Sequence, residues 1–227
     1  MSSEQLIRLW PAAGVRVRSG GLELRWIDDE LLGELADLAG RGIHSPDTLP
    51  FEHAWTRGTP DEVARSVVRF QWNARPQVSP DRFVLELGVI ADGVPVGVQG
   101  LVADDWGVLR CVRTGSWLGQ EHQGRGIGRR MRVLALHLAF EGLGAVEART
   151  GAFVDNAASN AVSHRVGYLP DGAVRVARDG EPVLHNNFMM TRERWSELRD
   201  AHAAVLGAPV ELHGVAGFRA QIGADGS

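Results

Sequence analysis

The stretch 117–133, WLGQEHQGRGIGRRMRV, constrains this chain more than any other. It opens with strand-like residues, passes through a turn carrying Gly124, Gly126 and Gly128, and continues as a basic amphipathic helix. Glycines at that spacing remove side chains where a backbone must come close to something. Arg125, Arg129, Arg130 and Arg132 put positive charge on the same turn. A helix N-terminus carries unpaired N–H groups and the positive end of the helix dipole, so the unit is a natural phosphate seat.

Spacing narrows the phosphate ligand. A dinucleotide fingerprint needs a third glycine three residues after the second, and Arg129 stands there. A P-loop needs Gly-Lys-Ser/Thr at the helix start, and that triplet is absent. What remains, Gln123-Gly124-Arg125-Gly126-Ile127-Gly128, resembles the Q/R-x-x-G-x-G/A signature of the GNAT acyltransferases. The resemblance implies that this loop holds the pyrophosphate of acyl-coenzyme A. Taken alone, the hexapeptide also reads as a glycine-rich turn beside a solvated basic face.

Composition sets the bounds. A chain of 227 residues is one domain, or a domain with a short appendage. Its 44% hydrophobic and 23% charged residues suit a soluble chain with a full core. A net charge of −4 argues against general nucleic-acid binding, which makes the arginine cluster a site rather than part of a basic surface. Cys111 is the only cysteine, which leaves no disulfide framework and no cysteine metal site. No His or carboxylate spacing suits a metal either. No apolar run spans a bilayer and residues 1–11 lack a signal-peptide core, so the expected location is cytoplasmic, away from membranes.

Read in order, residues 1–14 are a lead-in with Leu9 and Trp10 as anchors, and 15–18 with 22–26 form a hairpin. Asp28 or Asp29 caps a helix buried through Leu31, Leu32, Leu35 and Leu38. Residues 43–58 are irregular, punctuated by Pro46 and Pro50. Thr59 and Pro60 start a second helix that runs through the apolar positions Val63, Val67 and Phe70 and stops before Pro76. Strands follow at 83–90, 94–102 and 108–118, with Asp92-Gly93 as a hairpin turn. The helix after the glycine loop buries Met131, Leu134, Leu138 and Phe140, and a short strand spans 145–150. A helix at 155–166 ends at Gly167, a hairpin turns at Asp179-Gly180, and one helix covers 191–206. Residues 210–218 carry enough apolar residues for a small strand.

This order fits an α/β sheet of mixed direction. It is also similar to the GNAT order over residues 21–192, with 1–20 as lead-in and 193–227 as a helix and tail on the same domain. The implied fold is a mixed, mostly antiparallel sheet with splayed central strands and about four flanking helices.

Two further motifs carry the resemblance. Thr114-Gly115-Ser116-Trp117-Leu118-Gly119 resembles the G-[YS]-W-L strand of the branch containing the ribosomal-protein N-terminal acetyltransferases. There the strand splays from its neighbour and pairs with the pantetheine arm, as a free strand edge can. Asp155-Asn156-Ala157-Ala158-Ser159 followed by Val162 and Gly167-Tyr168 resembles that branch's N-x-x-S-x-x-V-x-x-x-x-G-F/Y pattern. The resemblance implies that Trp117, Leu118, Gln123, Gly124, Arg125, Gly126, Ile127, Gly128 and Arg129 hold the cofactor. It places Asn156 on the pantetheine arm and Ser159 near the thioester sulfur. Without the family pattern, Asn156 is a helix cap and Ser159 a solvated helix residue.

The implied reaction transfers an acyl group from a thioester to an amine. An ammonium ion must lose a proton before attacking, and the departing thiolate must be stabilised. The superfamily often uses a tyrosine four residues before the Gly of Gly167-Tyr168, where this chain has Ser163. That departure leaves Ser159 as the proton-donor candidate, with solvent as the alternative. The position often acidic in this branch is Arg113, so the base candidates are Glu86, Asp104, Asp105 and Glu147. Of these, Glu86 joins Ser159 as a catalytic candidate.

Residues 42–57 fall where GNAT enzymes shape the acyl and acceptor pocket. Their H-x-P-D-x-x-P-F-x-x-x-W-T-R run resembles a bacterial sub-branch that includes a GNAT succinyltransferase. A succinyl carboxylate needs a cationic partner, for which Arg57, His44 and His53 are available, with Phe51 and Trp55 as apolar walls. An ordinary loop pinned by its aromatics is the alternative. Acetyl-CoA or succinyl-CoA is therefore the expected cosubstrate, and a small-molecule or peptide amine the acceptor. A homodimeric contact through residues 209–227 stays open. A non-catalytic CoA-binding scaffold is the competing class, favoured by the unassigned base and the missing tyrosine.

Overall fold

Among the described residues nine strands join into one sheet, and helices cover both its faces. The structure, a computed structural model, describes residues 2–45 and 47–225. Pro46, expected to punctuate the loop before the second long helix, lies outside the described residues. The chain begins α1 (Ser3–Leu9), β1 (Arg16–Ser19), β2 (Leu22–Trp26), α2 (Asp29–Arg41) and α3 (Pro60–Ala74). It continues β3 (Phe83–Ala91), β4 (Val94–Ala103), α4 (Trp106–Leu109), β5 (Cys111–Leu118), α5 (Ile127–His137), β6 (Glu147–Phe153) and α6 (Ala157–Val166). It closes β7 (Leu169–Arg178), β8 (Glu181–Thr191), α7 (Arg192–Glu197), α8 (Arg199–Leu206), β9 (Glu211–His213) and α9 (Val215–Gln221).

The spatial order is β7-β8-β6-β5-β4-β3-β2-β1-β9, so the two ends of the chain meet at one sheet edge. Helices α2 and α3 build one core on the first face through Leu31, Leu35, Leu38, Val63 and Val67. Helix α5 buries Met131, Val133, Leu134 and Leu136 on the second face, where the C-terminal helices join it. Asp28 caps α2 by accepting from the Leu31 N–H at 2.9 Å. Thr59 and Glu62 form a reciprocal capping box at the start of α3.

The feature that positions the site is a break in the sheet. Strands β5 and β6 run parallel and pair over three rungs, Cys111↔Glu147, Val112↔Ala148 and Arg113↔Arg149. Beyond them β5 stays with β4 as far as Leu118, while β6 stays with β8 as far as Phe153. The two arms open into a V, leaving strand-edge N–H and C=O groups on its inner sides. The expected splay is therefore present between β5 and β6.

Several local expectations change. Phe70 points outward at 54% exposure, and Gln71 is the buried residue on that turn of α3. The strand expected over 108–118 begins only at Cys111. Asp105 and Arg110, both with positive φ, bracket the short helix α4, which buries Trp106 completely. The single helix expected over 191–206 breaks at Leu198, whose side chain occupies the space a Cβ on Gly167 would need. In 210–218 only Glu211–His213 is strand, paired to β1, and α9 follows. Residues 3–9 are helical; Leu9 is exposed, and Trp10 packs against the core.

Candidate active site

The glycine loop lies at the mouth of the V, between the end of β5 and the start of α5. Gly124 and Gly126 adopt φ of 73° and 76°, a left-handed backbone that side chains disfavour. Gly126 is the N-cap of α5 and supplies no side-chain cap. The first helical bond runs from the Arg130 N–H to the Gly126 carbonyl at 3.2 Å, so the N–H groups of Ile127, Gly128 and Arg129 precede it. A Cβ on Gly128 would lie 3.5 Å from Val162, which shows how closely α5 approaches α6. Arg125 is exposed; Arg129 buries its Nε with no hydrogen-bond partner among the described residues. The Gln123 amide donates to the carbonyls of Ile43 and Leu118 at 2.7 and 2.9 Å, tying the loop to the end of α2 and the end of β5.

Across the V, Asn156 caps α6, its Oδ1 accepting from the Ser159 N–H at 3.1 Å. Ser159 is half-buried on the first turn of that helix. Two asparagines that sequence reasoning missed hold the turn in place. Asn160 donates to the carbonyls of Phe153 and Asn156, and accepts from Asn186 of β8 at 2.9 Å. Tyr168, the only tyrosine, is buried with its hydroxyl 3.4 Å from the Thr114 hydroxyl, close to the point where the V opens.

On the α2–α3 face, His44, Phe51, Trp55 and Trp117 form a chain of rings with successive centroid separations of 6.0, 5.1 and 6.2 Å. The sequence-predicted pocket residues thus meet one of the predicted cofactor residues. His44 is held at both nitrogens, Nδ1 donating to the Ser45 carbonyl at 2.7 Å and Nε2 lying 2.8 Å from the Thr56 hydroxyl. Arg57 is engaged bidentately by Asp179, at 2.7 and 2.5 Å. The neighbouring Arg178 pairs with Asp155, donates to the Leu49 carbonyl and lies 4.4 Å over the Phe153 ring. The β7–β8 turn therefore latches the 43–58 loop through residues whose partners lie more than a hundred positions away. Sequence spacing carries no signal for such a pairing.

Among the base candidates, Asp104 is paired with Arg82 and Arg113, and Glu147 with Arg149. Glu86 differs. Its carboxyl projects over Gly100, the register partner on β4, so closely that any side chain there would collide with it. Gly100 in turn pairs with Gly115 on β5, where a Cβ would meet nothing within 4 Å. Paired residues share a face, so Glu86, Gly100 and Gly115 stand in one row across the sheet, with no other side chain in that row between the carboxyl and the arm of the V. Burial pushes the Glu86 carboxyl up to about 7, against a hydrogen bond from Gln71 that favours its ionised form.

The sequence grouped Arg132 with the loop charges, and the structure corrects this: Arg132 is 4% exposed and points into the sheet. Its Nε donates to Gln99 at 3.2 Å, Nη1 to the Thr150 hydroxyl at 2.8 Å, and Nη2 to the Ser116 hydroxyl at 3.1 Å. Helical periodicity puts residue 132 on the buried stripe, a signal that its charge obscured. No cluster of three or more His, Cys, Asp or Glu that could hold a metal occurs among the described residues. None of their helices is long and apolar enough to cross a membrane.

Comparison with known proteins bears on this geometry. Residues 22–169 match the family described as "Acetyltransferase (GNAT) domain". The structure resembles Mycobacterium smegmatis RimJ in complex with a CoA disulfide, at TM-score 0.67 and 19% identity, over 87% of this chain and 94% of that one. It also resembles RimL, a ribosomal L7/L12 alpha-N-protein acetyltransferase in complex with coenzyme A, at 0.62 and 19%, over 78% and 97% of the two chains. A GCN5-related N-acetyltransferase from Brucella melitensis aligns at 0.66 and 19%, over 84% and 85%. The overall fold is thus shared with these solved structures, and the family match covers both the glycine loop and α6. This chain belongs to the GNAT acetyltransferase family and is an N-acyltransferase.

Proposed function

We propose that the enzyme moves an acetyl group from acetyl-CoA to a primary amine by direct attack in a ternary complex, with Glu86 as the general base. The observation that carries this reading is the row Glu86–Gly100–Gly115, which joins a carboxyl with a pKa of about 7 to the edge of β5. Two strand spacings are about 10 Å, and a carboxyl leaning over Gly100 leaves room for one water to the thioester. Gly124 to Arg129 form the pyrophosphate seat, and the inner edges of the V take the pantetheine arm as a strand takes a partner. Asn156 shapes the α6 turn on which Ser159 stands as proton donor to sulfur. Trp117 and Leu118 hold the arm from β5.

Acetyl is favoured over succinyl by the loop geometry. Phe51, Trp55 and Trp117 present an apolar wall, and the cation expected to read a succinyl carboxylate, Arg57, is engaged by Asp179. The acceptor is a peptide or small-molecule amine entering on the α2–α3 face beside Glu86; solved relatives include an enzyme described as modifying the N-terminal serine of a ribosomal protein. The test is a mass-spectrometric assay of acetyl-CoA and succinyl-CoA against panels of N-terminal peptides and small amines. Acylated amine with matching CoA release is expected, and Glu86→Gln should lower kcat/KM by about 10²-fold or more. A fully active Glu86→Gln enzyme would remove Glu86 from the mechanism. Acyl-CoA binding without transfer to any amine would favour the scaffold alternative.

A further inference from the structure

Arg132 is a fully enclosed cation, and among the described residues its partners are all neutral. A buried guanidinium that meets only an amide oxygen and two hydroxyls retains an unbalanced positive charge, and such a charge attracts an anion strongly in a low-dielectric setting. Its position is specific. Thr150 is the first residue of β6 past the last rung shared with β5, and Ser116 lies on the opposite arm. The guanidinium therefore bridges the two arms from the α5 face. Thr150 also donates to the Thr114 carbonyl at 3.1 Å, which closes the base of the V beneath it. Gln99 links the cation to the main chain, accepting from Arg132 while donating to the Gly115 carbonyl at 2.9 Å.

Two rows of the sheet thus face opposite ways at the same level. The Gly100↔Gly115 row continues from Glu86 on one face, and the adjoining Gln99↔Ser116 row carries Arg132 on the other. The loop cations cannot serve here, since Arg125, Arg129 and Arg130 lie at the phosphate end of α5. About 7.5 Å along the helix axis separates Arg132 from Ile127, the first residue of α5.

We infer that Arg132 is the fixed cation of the acyl-transfer site, stabilising the negative charge that develops on the thioester sulfur as coenzyme A leaves. This rests on the acyl-CoA reading above. In the step, the amine nitrogen bonds to the acyl carbon, the carbon–sulfur bond breaks, and its electron pair stays on sulfur as a thiolate beside the guanidinium. Of the two protons the ammonium acceptor gives up, one goes to Glu86 before attack and on to solvent; the other replaces the proton that Ser159 donates to the thiolate before release. A fixed dipole or charge aimed where charge develops costs no reorganisation during the reaction.

The test titrates intact protein with free CoA and with desulfo-CoA across pH, following binding by calorimetry and the bound thiolate by its ultraviolet absorption. An unperturbed cysteine thiol ionises at about 8.5, and the thiol of free CoA, titrated alongside, sets the reference value. The bound thiol should ionise at least one pH unit lower, so the CoA-to-desulfo-CoA affinity ratio should rise about tenfold through that range. Arg132→Gln should restore ordinary ionisation while leaving desulfo-CoA affinity within about twofold, and Arg132→Lys should keep most of the effect. A wild-type bound thiol that ionises at or above its ordinary value overturns the inference, whatever the variants do. So does equal thiol ionisation in wild-type and Arg132→Gln protein with its desulfo-CoA affinity intact, which would make Arg132 a strut between the arms. Loss of succinyl-CoA affinity alone in Arg132→Gln would move the cation's role to an acyl carboxylate and overturn the sulfur assignment. Failure of both CoA and desulfo-CoA to bind wild-type protein would instead sink the acyl-CoA reading itself.

Discussion

Glu86 and Arg132 lie on opposite faces of the sheet, one register row apart, either side of the strand that forms one arm of the V. Glu86 reaches β5 over Gly100 and Gly115, and Arg132 reaches it through Gln99 and Ser116. The proposed proton acceptor on one face and the proposed fixed cation on the other suit a reaction that removes a proton from the nucleophile and leaves negative charge on the departing group.

The pH dependence of turnover follows from the raised Glu86 carboxyl. The base works only when ionised, so kcat/KM with a low-pKa amine should rise with pH through about 7. Measured over the same range, Glu86→Gln should be slower and lack that limb. A limb that persists in the variant would assign it to another group.

Stability carries the same signature with a defined sign. The unfolded carboxyl ionises near 4.5 and the folded one near about 7, so the folded chain holds the extra proton between those values. Native stability therefore falls as pH rises through that window, and the loss is complete above it. Thermal melts of Glu86→Gln against wild type should show little difference at pH 4 and a growing advantage for the variant up to pH 7. A constant difference would mean that the carboxyl titrates normally.

The glycine row between Glu86 and β5 can be blocked without touching the carboxyl. A Cβ on Gly115 would meet nothing within 4 Å, so Gly115→Val should fold and fill the path to β5. Turnover should fall at least tenfold with CoA affinity changed by less than threefold, read by calorimetry beside steady-state rates. Unchanged kcat would show that the proton takes another route.

At the phosphate seat, Gly126→Glu combines a left-handed backbone position, worth about 1–2 kcal/mol against a side chain, with a negative charge at the helix start. CoA affinity should fall by more than about a hundredfold. Retained affinity would put the pyrophosphate elsewhere.

The latch gives a prediction about dynamics. Arg57→Ala removes the bidentate partner of Asp179 at an exposed site, where Arg178 still lies near the carboxylate, so global stability should change little. Hydrogen exchange across 43–58 should speed up, and KM for the amine should rise more than KM for acyl-CoA. Unaltered exchange would mean that Arg178, through Leu49 and Asp155, holds the loop by itself.

Much of this enzyme was legible in its sequence, because the relevant signals are local. A left-handed turn needs glycine, so Gly124 and Gly126 marked the loop; a helix start needs a cap, so Asp28, Thr59 and Asn156 marked three of them. Helical period predicted the buried positions Met131 and Leu134 of α5, and Leu138 and Phe140 of the π-helical turn Leu138–Gly142 that follows it. The same period failed at Phe70 and overlooked Arg132, because which residues of an amphipathic turn face inward depends on what packs there. Tertiary structure alone decided that Arg57 is engaged by Asp179, that Arg132 bridges the arms of the V, and that Glu86 looks along two glycines toward β5. Each joins residues distant in sequence through sheet register and burial, and these exist only once the strands have paired.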